Sequence, residues 1–536
     1  MNARTDHLPP ADHDAPAPVV PPEEAKASPY AWYALGILFL VYVLNFIDRQ
    51  IITILAPDLK RDLGLSDADI GFLYGTAFAV FYALFGIPLG RLADEWKRVR
   101  LLSVGLALWS GMTALSGLAK TGTQLGLARM GVGVGEATAS PSAYSLISDL
   151  FPRRLRGTAL AIYSAGLYLG AGISLMIGGV IVERWNLAYP AGGPMGLVGW
   201  QAAFLAVGVP GLLLAAWVAT LREPVRGAVD GIPTPPSPAP FRGFFDELYA
   251  VVPPLTLLSA GRRGAGALIA NLAVAAALAA AAWLLAQWTG DALQWACVAF
   301  GYYAVYSWAT SLRARDAETF AMIWRSPAFL ATIVGYGTVA FVNYATSAFA
   351  PVYARSTLGE PAGAVGLWVG GTAAAAGFLG VILGGRMSDL LLKRFEAGRI
   401  LVVLFGLLAP LPFAWAAFST EAVAGSGDFT RFIILNAIAT VLASSALGAA
   451  AATTQDLVLP RMRGTATATF FLATTLIGLA LGPYIAGAVS KANGGDLSFG
   501  VRSTYAIVPL GLVALIMAWK LVPAALRRQA ALARAA

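Results

Sequence analysis

The chain has 536 residues, 58% of them hydrophobic and only 12% charged, with a mean hydropathy of +0.69. Soluble globular proteins carry about a quarter charged residues, so this composition excludes a soluble enzyme, a nucleic-acid binder and a disordered scaffold. The net charge of +8 comes from 37 Lys and Arg against 29 Asp and Glu, and its placement along the chain decides its meaning.

Residues 1–29 are rich in Pro, Asp and Glu and lack an apolar run, which reads as a disordered tail and not as a signal peptide. Six apolar stretches follow at 31–56, 69–91, 100–120, 123–150, 158–182 and 199–221. A membrane-crossing helix needs about 20 mostly apolar residues, and each stretch reads as one. A Pro-rich linker near 223–240 leads to two more, 266–288 and 292–312. A last six lie at 327–352, 362–388, 398–418, 431–455, 464–489 and 503–523, before a tail at 524–536. The expected fold class is an all-α polytopic membrane protein with fourteen spans. Small residues suit close helix packing, as in the pairs Gly86/Gly90, Gly131/Gly135 and Gly166/Gly170. The run from Gly131 to Glu136 mimics a nucleotide fingerprint, but no strand precedes it, so no cofactor is read there. The lone Cys297 and the terminal His7 and His13 leave no thiol pair, metal cluster or imidazole for the apolar body. No metal or cofactor is expected, and carboxylates remain as proton carriers.

With the N-terminus inside, the inner loops and tail hold twenty-four Lys and Arg and the outer loops eight. That bias is the positive-inside signature. It places both termini in the cytoplasm and accounts for most of the net charge. High Ala and Arg usage points to a bacterial inner membrane.

The basic loops also repeat. Gly90-Arg91-x-x-Asp94 after the second span matches Gly385-Arg386-x-x-Asp389 after the tenth, offset by 295 residues. Asp149-Leu150…Arg156-Gly157-Thr158-Ala159 matches Asp456-Leu457…Arg463-Gly464-Thr465-Ala466, offset by 307. Such similar offsets indicate a duplicated six-span unit, 31–221 and 327–523. The intervening 222–326 carries two extra spans, an even number that preserves orientation. Parallel repeats of this kind are a transporter architecture.

With these motifs the chain resembles the major facilitator superfamily. The Gly-x-x-x-Asp loop with following basic residues is that superfamily's signature and occurs in both halves. Asn45-Phe46-Ile47-Asp48-Arg49 and Arg129…Gly135-Glu136-Ala137 look like the Spinster-type lipid transporters. Organic-anion transporters share the Asp-Arg and Arg…Gly-Glu-Ala elements. The resemblance implies two six-helix bundles, with the cytoplasmic loops latching the outward-facing state. Arg91, Asp94 and Asp149 would form one latch, with Gly90 giving a tight turn, Arg91 pairing with Asp149 and Asp94 meeting a helix N-terminus. Arg386, Asp389 and Asp456 would form its counterpart, beside Arg156 and Arg463.

A charge at the bilayer centre costs ~2.5–3.5 kcal/mol on insertion scales, so intramembrane charges mark function. Asp48 and Arg129 are expected about 10–12 Å below the outer surface, facing each other between the first and fourth spans. Glu136 lies seven residues beyond Arg129, two turns on the same helix face. The expected device is a coupling relay in which ionised Asp48 pairs with Arg129 and a protonated Asp48 releases it toward Glu136 or an anionic substrate. Arg49 is given a lesser role. The repeat carries Asp48 onto Asn343 and Arg129 onto Asn436, both neutral. Asn343, Tyr344 and Asn436 are therefore candidate substrate contacts, with Tyr42, Phe46 and Tyr82 lining an amphiphilic cavity.

The function expected is proton-coupled secondary transport of a lysophospholipid or sphingoid phosphate by alternating access, with a small organic-anion/proton symporter or exporter as the alternative. The partners expected are that small molecule, protons and membrane lipids, with no nucleic acid and a monomeric chain. An integral-membrane enzyme finds no Walker-type loop and no metal ligands to support it.

Overall fold

The computed structural model describes residues 27–190, 192–230, 237–420, 428–459 and 462–535. Residues 1–26 of the expected tail and 231–236 of the expected linker lie outside them. The regular elements among the described residues are all helical.

Helix α1 spans Pro29–Leu63. The Ser28 hydroxyl accepts the Ala31 N–H at 3.1 Å, Pro29 opens the first turn, and Gly64 ends the helix in the left-handed region at φ 66°. Helix α2, Asp67–Glu95, starts in a capping box between Ser66 and Asp69. Then come α3 (Arg98–Ser116), α4 (Gly122–Glu136), α5 (Ala139–Leu150), α6 (Arg153–Ala188) and α7 (Gly199–Ala219). The connecting region holds α8 (Pro240–Val251), α9 (Leu255–Arg262), the hairpin α10 (Ala265–Thr289) and α11 (Ala292–Arg315), and α12 (Ala317–Trp324). The last six are α13 (Pro327–Ser356), α14 (Ala362–Leu392), α15 (Gly398–Ala417), α16 (Asp428–Asp456), α17 (Arg463–Ala492) and α18 (Leu497–Leu532). Helix α18 runs on through the expected tail to Ala535.

Twelve helices among the described residues are long and apolar enough to cross a membrane, so the protein is an integral membrane protein. The expected spans 123–150 and 292–312 are not among the twelve. The first is broken between Glu136 and Ala139 into α4 and α5. The second, α11, buries Gln294, Ser307 and Ser311 and is the more polar arm of its hairpin. The count of fourteen is therefore not confirmed by length and apolarity.

Three of the long helices carry a π turn: Phe72–Thr76 in α2, Gly366–Gly370 in α14 and Thr474–Leu479 in α17. The hairpin breaks the repeat. Helix α11 packs on the body, with Gly301 against Val80 of α2 and Leu476 of α17. Helix α10 lies outside it, with Trp283, Leu284 and Trp288 exposed.

The two ends of the bundle differ. At the end bearing Asp58, the halves are bonded together. Arg355 Nη1 donates to Asp58 Oδ2 at 2.8 Å and to the Ile54 carbonyl at 2.5 Å. Ser490 Oγ donates to Asp67 Oδ2 at 2.8 Å, and the Gly363 N–H to Glu183 Oε2 at 2.7 Å. Gly71 lies against the Pro483 carbonyl and Gly487 against the Asp67 carbonyl, leaving no room for a Cβ at either. At the end bearing Arg98, the ion pairs described lie within one half, lie within the connecting region, or join a half to that region.

Candidate functional site

Consecutive residues on an α-helix point about 100° apart, and this decides how α1 uses Asp48 and Arg49. Arg49 turns toward α4, where its Nη2 donates to Glu136 Oε2 at 2.8 Å. Its guanidinium lies over three aromatic rings, 4.7 Å from the centroid of Phe46, 4.4 Å from Phe78 and 5.1 Å from Tyr82. Cation–π contact of this kind strengthens when it is desolvated, and Arg49 is 9% and Glu136 1% exposed. Asp48 turns the other way, toward Trp109 and Thr113 of α3. It is fully buried, and neither carboxylate oxygen has a hydrogen-bond partner among the described residues.

Arg129 reaches the level of Asp48 but binds backbone there. Its Nη1 donates to the Asp48 carbonyl at 2.9 Å and its Nη2 to the Arg49 carbonyl at 3.4 Å. The expected Asp48–Arg129 carboxylate pair is thus not formed, and the ion pair belongs to Arg49 and Glu136. Glycines make this proximity possible. Gly133 of α4 packs on the α2 backbone at Phe78 and Tyr82, and Gly135 on the α3 backbone at Trp109. The chain then breaks at Thr138, whose side chain fills the space beside Gly105.

The aromatic residues form one wall. Tyr42 stacks on Tyr163 at 4.2 Å and meets Phe46 edge-on at 5.2 Å, while Phe78 stacks on Tyr82 at 5.3 Å. In the second half, Tyr344 is half-buried and lies within electrostatic reach of Arg49 and Tyr82. Asn343, one residue earlier, instead lines a crevice inside its own half with Val339, Leu407 and Thr440. Asn436 is buried in α16.

The loop residues expected to form a latch are arranged differently. Arg91 pairs with Glu95 at 2.8 Å and not with Asp149. Asp149 pairs with Arg98, at the first turn of α3. Arg98 is fully buried; its Nε donates to Glu223 Oε1 at 2.8 Å, its Nη1 to Ser145 Oγ at 2.9 Å and its Nη2 to the Pro224 carbonyl at 2.9 Å. The linker closes the cluster. Glu223 Oε2 accepts the Val99 N–H and Asp149 Oδ1 the Gly227 N–H, while Arg226 Nη2 donates to the Ala93 and Trp96 carbonyls. Asp94 is exposed and makes no hydrogen bond to a helix N-terminus among the described residues. Gly90 sits inside α2, where an added Cβ would meet only the Pro141 ring at 3.9 Å, so it makes no tight turn. Arg156 Nε donates to the Ser148 and Phe151 carbonyls.

In the second half, Asp456 pairs with Arg399, at the first turn of α15, and not with Arg386. Arg386, Asp389 and Arg463 are exposed. Arg98 and Arg399 each stand in the first turn of the helix that follows a Gly-Arg-x-x-Asp loop, but their separation of 301 residues matches neither repeat offset, so the sequence repeat does not pair them.

The family model described as Major Facilitator Superfamily matches residues 38–425. An MFS-type efflux pump of Mycolicibacterium smegmatis is 28% identical over 492 residues, covering 91% of this chain and 92% of that protein. Protein spinster homolog 1 of Homo sapiens is 25% identical over 473 residues, covering 85% and 72%. Among solved structures, a bacterial homolog of the human lysosomal transporter Spinster, inward-facing and unoccupied, superposes with a TM-score of 0.67 at 26% identity, covering 94% of this chain and 99% of that one.

Proposed function

The chain belongs to the Major Facilitator Superfamily, and on that premise we propose that it is a proton-coupled transporter of an amphiphilic, lipid-like substrate working by alternating access. The observation that carries the reading is the Arg49–Glu136 pair in its aromatic surround, with the unpartnered Asp48 carboxylate beside it. An ionised carboxylate at that depth without a partner is costly, so Asp48 holds the proton in this state. With Asp48 neutral, Arg129 is free to bond the carbonyls of Asp48 and Arg49, which sets the rotation of α1. Loss of the proton creates an anion that draws Arg129 off those carbonyls. That frees α1 to turn and breaks the Arg49–Glu136 contact.

The substrate is bound where that contact lies. Arg49 Nε and Glu136 Oε1 have no described partner and offer a donor and an acceptor to a zwitterionic head. Tyr42, Phe46, Tyr82 and Tyr344 supply the apolar wall for the chain, with Asn343 and Asn436 as lesser contacts from the second half. The choice of an amphiphile over a small organic anion rests on the aromatic wall around Arg49 and on the resemblance of the first half to the Spinster-type transporters.

The same reading gives the chain fourteen spans, two six-helix bundles at 31–221 and 327–523, and both termini in the cytoplasm of a bacterial inner membrane. The bonded Asp58 end is then external, and the state is inward-facing. Each cytoplasmic latch, Arg98–Asp149 and Arg399–Asp456, braces its own bundle. The test is reconstitution in proteoliposomes with an imposed pH gradient. Lysophospholipid movement driven by the gradient is expected, with uptake of small organic anions absent. Gradient-driven uptake of a small organic anion without lipid movement would overturn the substrate, and gradient-independent lipid movement the coupling.

A further inference from the structure

Away from the central site, the turn between α10 and α11 meets the outer ends of α2, α4 and α17 around a cavity of about 410 Å³. We propose that this cavity is a second ligand site, taking a protonated primary amine with an adjacent oxygen, carried on an apolar body. Three observations define that chemistry.

The first is Gln294. It lines the cavity, is 2% exposed, and neither its amide oxygen nor its amide nitrogen has a hydrogen-bond partner among the described residues. A buried amide left unpaired is destabilising, and buried polar groups are nearly always satisfied by something. The second is charge. The lining holds two carboxylates, Asp69 and Asp291, and no Lys or Arg. Both Asp291 oxygens are taken, one by Tyr484 Oη at 2.9 Å and the other by Lys491 Nζ at 3.1 Å. Asp69 uses only Oδ2, which accepts the Ser66 N–H at 2.8 Å and hydroxyl at 2.6 Å. Its charge faces no cation in the lining. The third is the wall, formed by Leu65, Phe72, Leu73 and Leu293.

An ammonium group satisfies Asp69, and the Gln294 amide, turned into the cavity, accepts from that group at Oε1 and donates from Nε2 to an oxygen one ethylene unit away. The apolar body packs on the leucines and Phe72. The amine of a free amphiphile and the ethanolamine head of a membrane phospholipid share this chemistry. The site lies outside the Arg49–Glu136 cluster, so it stands or falls independently of the transport reading.

The probe is 2-phenoxyethylamine, titrated by calorimetry into the full-length protein in nanodiscs of phosphatidylcholine and phosphatidylglycerol. Saturable binding is expected, weakened at least tenfold by Gln294→Leu and by Asp69→Asn. Phenoxyacetate should not bind. Because Gln294→Leu removes an unpaired amide, that variant should melt no lower than the parent, which separates lost binding from lost folding. Adding phosphatidylethanolamine to the nanodiscs identifies the source: competition with the probe assigns a lipid headgroup, and no competition a free amine. Absence of saturable binding, equal binding of phenoxyacetate, or undiminished binding to Gln294→Leu would overturn the proposal.

Discussion

Arg49 and Glu136 are joined at 2.8 Å across α1 and α4, while Asp48, the neighbour of Arg49 in sequence, bonds neither that arginine nor Arg129 through its carboxylate. Two acids and two bases thus lie within a few turns of helix, but only one acid–base contact is made between side chains. The other arginine is held by backbone carbonyls. An arrangement with one bond made and one withheld has a second arrangement available to it, which is what a two-state element needs.

Breaking a buried pair from one side leaves an uncompensated charge and costs about 3–5 kcal/mol. Arg49→Ala should therefore lower the melting temperature and abolish transport. Pairing it with Glu136→Gln removes the stranded charge, so the double variant should regain most of the stability and none of the transport. Thermal melts alongside a proteoliposome assay check this. A double variant that transports would remove the ion pair from the mechanism.

Asp48→Asn preserves shape and removes only the titratable proton. Since the carboxylate makes no described hydrogen bond, the variant should express and melt like the parent. Transport should become independent of the imposed pH gradient while substrate exchange persists. Gradient-driven transport that survives the substitution would place the coupling proton elsewhere.

Twelve of the apolar spans and the buried acid–base cluster were legible in the sequence because each is a matter of composition or cost. What the sequence left open was direction. Asp48 and Arg49 are adjacent letters, but the helix sends them to opposite neighbours, α3 and α4. The emphasis on Asp48 with Arg129 therefore missed the contact that Arg49 makes. Arg91 was favoured in the latch because it lies inside a motif. Arg98, counted only as a topology charge, is the residue that is buried and bonded. The break at Thr138 falls where that side chain packs beside Gly105 of α3 and bonds the Gly135 carbonyl, contacts that apolarity alone does not mark.

Arg98 and Arg399 each pair with an Asp from the first turn of a helix, but in unequal surroundings. Arg98 is fully buried and holds Asp149, Glu223 and two backbone carbonyls. In the Arg399–Asp456 pair the side chains are 18% and 43% exposed. Exposed pairs contribute about 0–1 kcal/mol, whereas stripping a partner from a buried network costs about 3–5 kcal/mol. Arg98→Ala should therefore lower the melting temperature by several degrees and expose the linker to protease after Arg222, and Arg399→Ala should do neither. Melting curves and limited trypsin digestion of both variants check the contrast. Equal destabilisation would mean that burial does not set the value of the latch.

The bonded end rests on backbone contact as well as on charge. Gly487 lies against the Asp67 carbonyl, directly beside the Ser490–Asp67 hydrogen bond. A valine there cannot be accommodated by a side-chain shift, because the obstacle is main chain, and overpacking of this kind costs about 1–3 kcal/mol. That cost falls only on the state in which α2 and α17 touch, so Gly487→Val should shift the population toward the state with this end open. The measurement is the distance between spin labels at Leu187→Cys and Thr357→Cys, on α6 and just beyond α13, in a Cys297→Ser background. The distribution should lengthen in Gly487→Val and shorten again when the substrate gradient favours the original state. An unchanged distribution in a folded variant would show that the Gly487 contact does not hold the halves together at this end.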